Sequence, residues 1–234
     1  MPSRREESYT FGTTETLVSD QKSTVAVIVT HPWGPLGGNL HNNVVVAACL
    51  YFQRLGVTTA RFDFNGGIGR GFTQVAQVLD VARGLLETLP EAKHILLVGY
   101  SYGSLIAASA SADLPECMAS VSIAPPFSVS HWLVMFHSNH HLEKATRKEE
   151  LPRLLLIGTQ DNFTSEEVFQ RTLEQHYPEE TTTGAVIKDA DHFFRHREKD
   201  VMDVIGQWLV GAFPQLQGDL QKLRSLTIGL STAT

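Results

Sequence analysis

The chain has 234 residues, 42% of them hydrophobic and 19% charged, with a net charge of −6. That length suits one large domain or two small ones around a buried core, and the composition excludes a disordered, collagen-like or proline-rich chain. With 19 Lys+Arg against 25 Asp+Glu and no basic run beyond Arg4-Arg5, it lacks the electrostatic footprint of a nucleic-acid binder.

The first residues, MPSRREES, lack the apolar stretch of a secretory signal, and Pro2 stands where N-myristoylation needs a glycine. Within an N-terminal region, 1–24, residues 11–18 read as an edge strand. Six short apolar runs rich in β-branched residues follow: VAVIV at 25–29, TTARFDF at 58–64, HILLVG at 94–99, VSIA at 121–124, LLLIG at 154–158 and AVIK at 185–188. Segments with helical spacing separate them, at 40–55, 72–89, 101–114, 166–177 and 196–212. In 72–89 the apolar residues Val75, Val78, Leu79, Ala82, Leu85 and Leu86 recur at steps of three and four. The segment 101–114 is small and apolar, which suits a helix packed closely on a sheet.

Continuous apolar strands imply a sheet covered on both faces, and alternation of strand and helix implies a mainly parallel sheet. The expectation is one α/β domain over 1–234, doubly wound, with helices on both faces. The longest unbroken apolar run, 44–52, has nine residues, against about 20 for a membrane span, so no integral membrane segment is expected. Cys49 and Cys117 sit in apolar surroundings, read as small core residues, and point to a reducing, cytoplasmic address. Between the fourth and fifth runs, residues 125–152 are too long for an ordinary connection. Their knot of Trp132, Leu133, Met135 and Phe136 reads as a short helical flap. The tail, 214–234, has weak apolar periodicity and reads as frayed.

The strongest local signal is Gly99-Tyr100-Ser101-Tyr102-Gly103. It matches G-x-S-x-G, with the required strand before it and small-residue helix after it. The serine of such a turn is exposed on a sharp bend, and the flanking glycines let strand and helix approach. The motif demands an acid and then a histidine, each after a later strand. Asp161 follows the LLLIG run directly, and His192 lies in DADHFF after the last run. Asp161 could instead cap the next helix, but Thr164 is the better-placed cap. Asp189 and Asp191 follow the wrong strand, and His176 and His196 fall within helices. Ser101 is then the nucleophile, His192 the base and Asp161 the group that orients it. The oxyanion donors are expected to be the backbone N–H of Tyr102 and one from the Gly/Pro-rich loop at 30–39, Trp33 first and Gly34 second.

Serine turn, acid and histidine together resemble the α/β-hydrolase superfamily over roughly residues 25–210. HPWGPLGGNLHNNVV, RFDFNGGIGRG, GYSYGS, VSIAPP and DADHFF resemble its small, minimally capped members, the dienelactone-hydrolase-like and short-chain esterase groups. Trp33 and Asn65 depart from the polar and basic residues more usual in those loops. The resemblance implies the α/β-hydrolase fold with a short flap in place of a cap domain, no cofactor, and Ser101, Asp161 and His192 as triad with Trp33 and Tyr102 as oxyanion donors.

Two decoys are set aside. Gly66, Gly67, Gly69 and Gly71 match neither phosphate-loop spacing, and read as a flexible turn. His131, His137, His140 and His141 lack cysteine or carboxylate at a ligand spacing, so no metal is assigned. The reading is a serine hydrolase of short- to medium-chain carboxylic esters, with Trp33, Phe64, Trp132 and Phe136 at the apolar entrance to its acyl pocket. The alternatives are an acyl-protein thioesterase and a non-catalytic binding protein of the same fold. The substrate is a small-molecule or protein-bound acyl ester.

Overall fold

The computed structural model describes residues 5–228. Arg4, the leader reading of the first residues and the end of the tail, 229–234, lie outside the described residues. Eight strands form one sheet: β1 (Glu7–Phe11), β2 (Thr14–Ser19), β3 (Val25–Thr30), β4 (Thr58–Phe62), β5 (His94–Tyr100), β6 (Cys117–Ile123), β7 (Arg153–Gln160) and β8 (Thr182–Asp191). Their order is β1-β2-β4-β3-β5-β6-β7-β8. The β1/β2 and β2/β4 pairs are antiparallel, and every other pair is parallel.

The parallel strands are apolar throughout because both faces are covered. In β3, Val25, Val27 and Val29 enter one core layer, while Ala26 and Ile28 enter the other. Helices α1 (Asn43–Arg54) and α7 (Glu198–Ala212) pack on the first layer. Helices α2 (Phe72–Thr88) and α3 (Tyr102–Ser111) pack on the second. Near the β8 edge, α6 (Glu166–His176) packs Phe169 against Leu155 and Ile157. Between β6 and β7 the flap folds as α4 (Ser130–Leu133) and α5 (Ser138–Thr146).

Three local expectations are corrected. The single edge strand at 11–18 is a hairpin, because Gly12 takes φ +59° and turns the chain so that Phe11 pairs with Thr14. The tail is docked as far as it is described: short 3₁₀ helices at Pro214–Leu216 and Leu220–Ser225 bury Leu216, Leu223 and Leu226 in the α1/α7 layer. Thr24 ties this end down, its amide donating to the Arg224 carbonyl at 2.7 Å and its hydroxyl to that of Leu226 at 2.7 Å. The cap of α6 is Ser165, whose side chain accepts from the Val168 amide. The Thr164 hydroxyl instead donates to the Pro125 carbonyl at 2.6 Å and accepts from the Phe127 amide at 2.8 Å, which ties the β7 loop to the start of the flap.

Candidate active site

The β5–α3 turn puts Ser101 at φ +53°, ψ −123°, a region that costs a residue with a side chain of order 1–3 kcal/mol. The surroundings hold it there. The Ser101 amide donates to the Ile123 carbonyl on β6 at 2.8 Å, and the Thr30 hydroxyl at the end of β3 donates to the Gly103 carbonyl at 3.0 Å. A Cβ on Gly99 would lie 2.4 Å from the Ser104 Cα, and one on Gly103 would lie 2.6 Å from the His31 carbonyl oxygen. The two glycines are therefore steric requirements of a helix start pressed against two strand ends.

Two other strand ends deliver the acid and the histidine. Ser101 Oγ lies 2.9 Å from His192 Nε2, and His192 Nδ1 lies 2.8 Å from Asp161 Oδ2. An aspartate carboxylate accepts only, so the geometry puts the imidazole proton on Nδ1 and leaves Nε2 to accept from the serine. The other carboxylate oxygen of Asp161 accepts from the amides of Phe163 at 2.7 Å and Thr164 at 3.1 Å, which fixes its plane. All three residues are buried. Asp191 turns its carboxylate to the amides of Phe193 and Phe194, and Asp189 is exposed.

Sequence reasoning passed over two groups that set the imidazole. The Tyr100 hydroxyl donates to the backbone carbonyl of His192 at 3.0 Å, and the Phe163 ring packs on the imidazole with centroids 4.4 Å apart. Both adjoin motif residues, Tyr100 preceding the serine and Phe163 two places after the acid. Burial pushes the Tyr100 phenol well above its usual range, which keeps it a donor.

The loop after β3 is fixed from both sides. The Trp33 carbonyl accepts from the amides of Leu36 and Gly38, both at 3.1 Å. Buried His31 lies 2.5 Å from the Pro32 carbonyl through Nδ1 and accepts from the Phe64 amide through Nε2 at 2.8 Å. Burial lowers its pKa, which favours the neutral ring that this pattern needs. Among the described residues, no acceptor takes the amide of Trp33 or of Tyr102.

A cavity of about 420 Å³ opens beside Ser101. Trp33, Leu36, Leu133, Phe163 and Phe193 make most of its apolar wall, with Asn42, Asn43 and Arg195 at the polar side. Phe64, Trp132 and Phe136 are not among its lining residues. Phe64 is drawn into the core layer by His31, Phe62 and Tyr102, at ring distances of 4.7, 5.6 and 6.0 Å. Trp132 and Phe136 meet edge to face at 5.1 Å and stay 70% and 58% exposed, while their neighbour Leu133 turns inward. Periodicity could not have separated these from Leu133, because α4 is one turn long. Cys49 and Cys117 are free buried thiols that burial pushes up to about 12, so neither competes as a nucleophile.

The histidines of the flap do not converge on one point. His137, His140 and His141 surround the Phe72 ring at 5.4, 5.0 and 5.7 Å, whereas His131 packs on Phe136. No helix among the described residues is long and apolar enough to cross a membrane.

No family model matches the chain. An uncharacterized protein of Rickettsia prowazekii is 25% identical over 192 residues, covering 78% of this chain and 77% of its own. Among solved structures, an α/β serine hydrolase homologue from Coxiella burnetii superposes with a TM-score of 0.71 at 22% identity, over 88% of this chain and 97% of its own. A serine hydrolase without a lid from Xanthomonas campestris gives 0.72 at 23% identity, over 91% and 97%. Est1E from Butyrivibrio proteoclasticus gives 0.71 at 15% identity, over 90% and 99%. The sheet of eight mostly parallel strands with helices on both faces superposes on these neighbours over most of its length: the chain has the α/β-hydrolase fold, with a short flap between β6 and β7.

Proposed function

We propose that the protein is a serine hydrolase that cleaves carboxylic esters of short- to medium-chain acyl groups through an acyl-enzyme on Ser101. The observation that carries this reading is the hydrogen-bonded line Ser101–His192–Asp161, mounted on a strained turn beside an apolar cavity.

Ser101 Oγ attacks the ester carbonyl carbon while its proton passes to His192 Nε2, and Asp161 stabilises the imidazolium. The tetrahedral oxyanion accepts from the free amides of Trp33 and Tyr102. Collapse breaks the bond to the leaving oxygen, which takes the proton from His192 and departs as the alcohol. Water then attacks the acyl-enzyme, gives a proton to His192 and releases the acid, and the proton returns to Ser101. The same steps release a thiol from a thioester.

The cavity of about 420 Å³ is at the small end of the roughly 300–1,000 Å³ range of small-molecule sites. Most of its wall is apolar, which supports the short- to medium-chain preference. The two unpaired buried cysteines suit a reducing, cytoplasmic setting. A fluorophosphonate probe tests the reading: the native protein is labelled and Ser101→Ala is not. An unlabelled native protein overturns it. Turnover of p-nitrophenyl esters is expected to peak at short or medium acyl length, and turnover confined to a long-chain acylated peptide would replace the esterase by a thioesterase of acylated proteins.

A further inference from the structure

Strands β3 to β8 are parallel, so the segments that follow them leave from one edge of the sheet. Four of these segments, 33–40, 64–72, 127–140 and 193–196, hold seven of the eight large hydrophobic side chains that are exposed among the described residues. Leu36 is 73% exposed, Ile68 69%, Trp132 70% and Phe136 58%. Elsewhere the fold buries such residues almost completely, and isolated exposed ones scatter. Here they gather at the end of the molecule that bears Ser101.

Charge on the same segments is one-sided. In a chain of net charge −6 these stretches contain Arg70 and Arg195 and no aspartate or glutamate, and the one acid directly flanking them, Asp63, accepts from the Leu40 amide at 2.7 Å. Among the described residues neither arginine makes an ion pair. Each follows an exposed apolar residue by two places, Ile68 or Phe193, and the Arg195 guanidinium lies 5.6 Å over the Phe193 ring. Apolar tips beside unpaired cations, on a molecule otherwise acidic, match the two demands of an anionic bilayer surface: apolar side chains that enter the headgroup zone, and positive charge that meets the lipid phosphates. A second copy of the chain fits less well, because a two-fold contact through this face would oppose like charges.

We propose that this rim docks the protein on anionic lipid surfaces, with the Ser101 cavity opening toward the lipid. Leu36, Phe193 and Arg195 line the cavity as well as the rim, so a lipid-soluble substrate would enter without crossing water. The docking does not depend on the hydrolytic reading.

Flotation of the full chain with phosphatidylcholine vesicles, with and without phosphatidylglycerol, tests it. The native protein and Ser101→Ala should float equally with the anionic vesicles and remain below with the neutral ones. Trp132→Ser combined with Phe136→Ser should cut partitioning at least about tenfold, since burying either ring would account for that factor alone. Arg70→Gln combined with Arg195→Gln should remove the preference for phosphatidylglycerol, and both pairs should keep the native thermal midpoint because the changed side chains are exposed. The proposal is overturned if the native protein does not float, if it floats equally with both vesicle types, or if sedimentation velocity finds a dimer that the Trp132/Phe136 pair abolishes. Labelling by the fluorophosphonate probe is read separately, so loss of docking and loss of the hydrolytic reading are distinguishable.

Discussion

The serine turn at 99–103 and the flap at 125–152 sit on the same edge of the sheet and are held in opposite ways. The turn is buried, strained and fixed from both neighbouring strands, so that an added methyl has nowhere to go. The flap is fixed at its base and free at its tip. Buried Arg153 donates to the carbonyls of Ala145, Lys148 and Leu151, and His141 Nε2 meets the Arg70 carbonyl at 2.7 Å. Trp132, Met135 and Phe136 nevertheless stand in solvent, with Met135 and Phe136 at positive φ. A group that must keep one geometry is built into the core, whereas the segment above it is anchored by buried Val134 and a few hydrogen bonds and leaves its aromatic tips in solvent.

That contrast can be broken most sharply at the acid. Asp161→Asn, with Asp189 and Asp191 intact, should lower kcat by about 10⁴-fold, because an amide at that place no longer fixes the Nδ1–H form of His192. Steady-state ester hydrolysis reads this, and an undiminished rate would assign the role to another acid. Next comes Gly103→Ala, whose new Cβ would meet the His31 carbonyl oxygen at 2.6 Å. The expected cost is about 1–3 kcal/mol, read as a lower midpoint in urea.

Tyr100→Phe removes one neutral hydrogen bond to the His192 carbonyl. A loss of about 1 kcal/mol in transition-state stabilisation, roughly fivefold in kcat/KM, is expected with the fold unchanged.

The flap should respond to pH. Burial holds His141 below its usual value of 6.5. Its contribution is therefore complete above about pH 6.5 and is lost as the pH falls below that toward the folded value, because the unfolded chain takes up the proton first. Amide exchange across 138–146, corrected for intrinsic rates, should rise relative to β5 between about pH 7.5 and pH 5, and His141→Gln should flatten the response. The smallest effect belongs to Trp132→Ala. It should shift stability by less than about 0.5 kcal/mol and leave hydrolysis of a water-soluble short ester within a factor of about two, since the ring lies outside the cavity.

The parallel strands and their helices were legible because a strand covered on both faces reads as an unbroken apolar run. Ser101, Asp161 and His192 were singled out because the serine turn needs small residues at fixed places and its partners follow strand ends in a set order. Residues whose roles depend on which neighbours a loop meets were not legible. Phe64 is expected at the entrance to the acyl pocket, yet it packs half-buried against His31 and Tyr102. The tail looked frayed because its leucines are few, but they fill the end of the α1/α7 layer.

Sequence alone determined the strand–helix alternation and the order in which serine, acid and histidine arrive, since both depend on periodicity and on the local sterics of one turn. Only the tertiary structure decided the 2.9 and 2.8 Å contacts among them, the cavity wall and the rim of exposed apolar tips beside Arg70 and Arg195. Those rest on side chains brought together from different strand ends, and the packing of the parallel sheet, which sets where each strand ends, is what brings them to one edge.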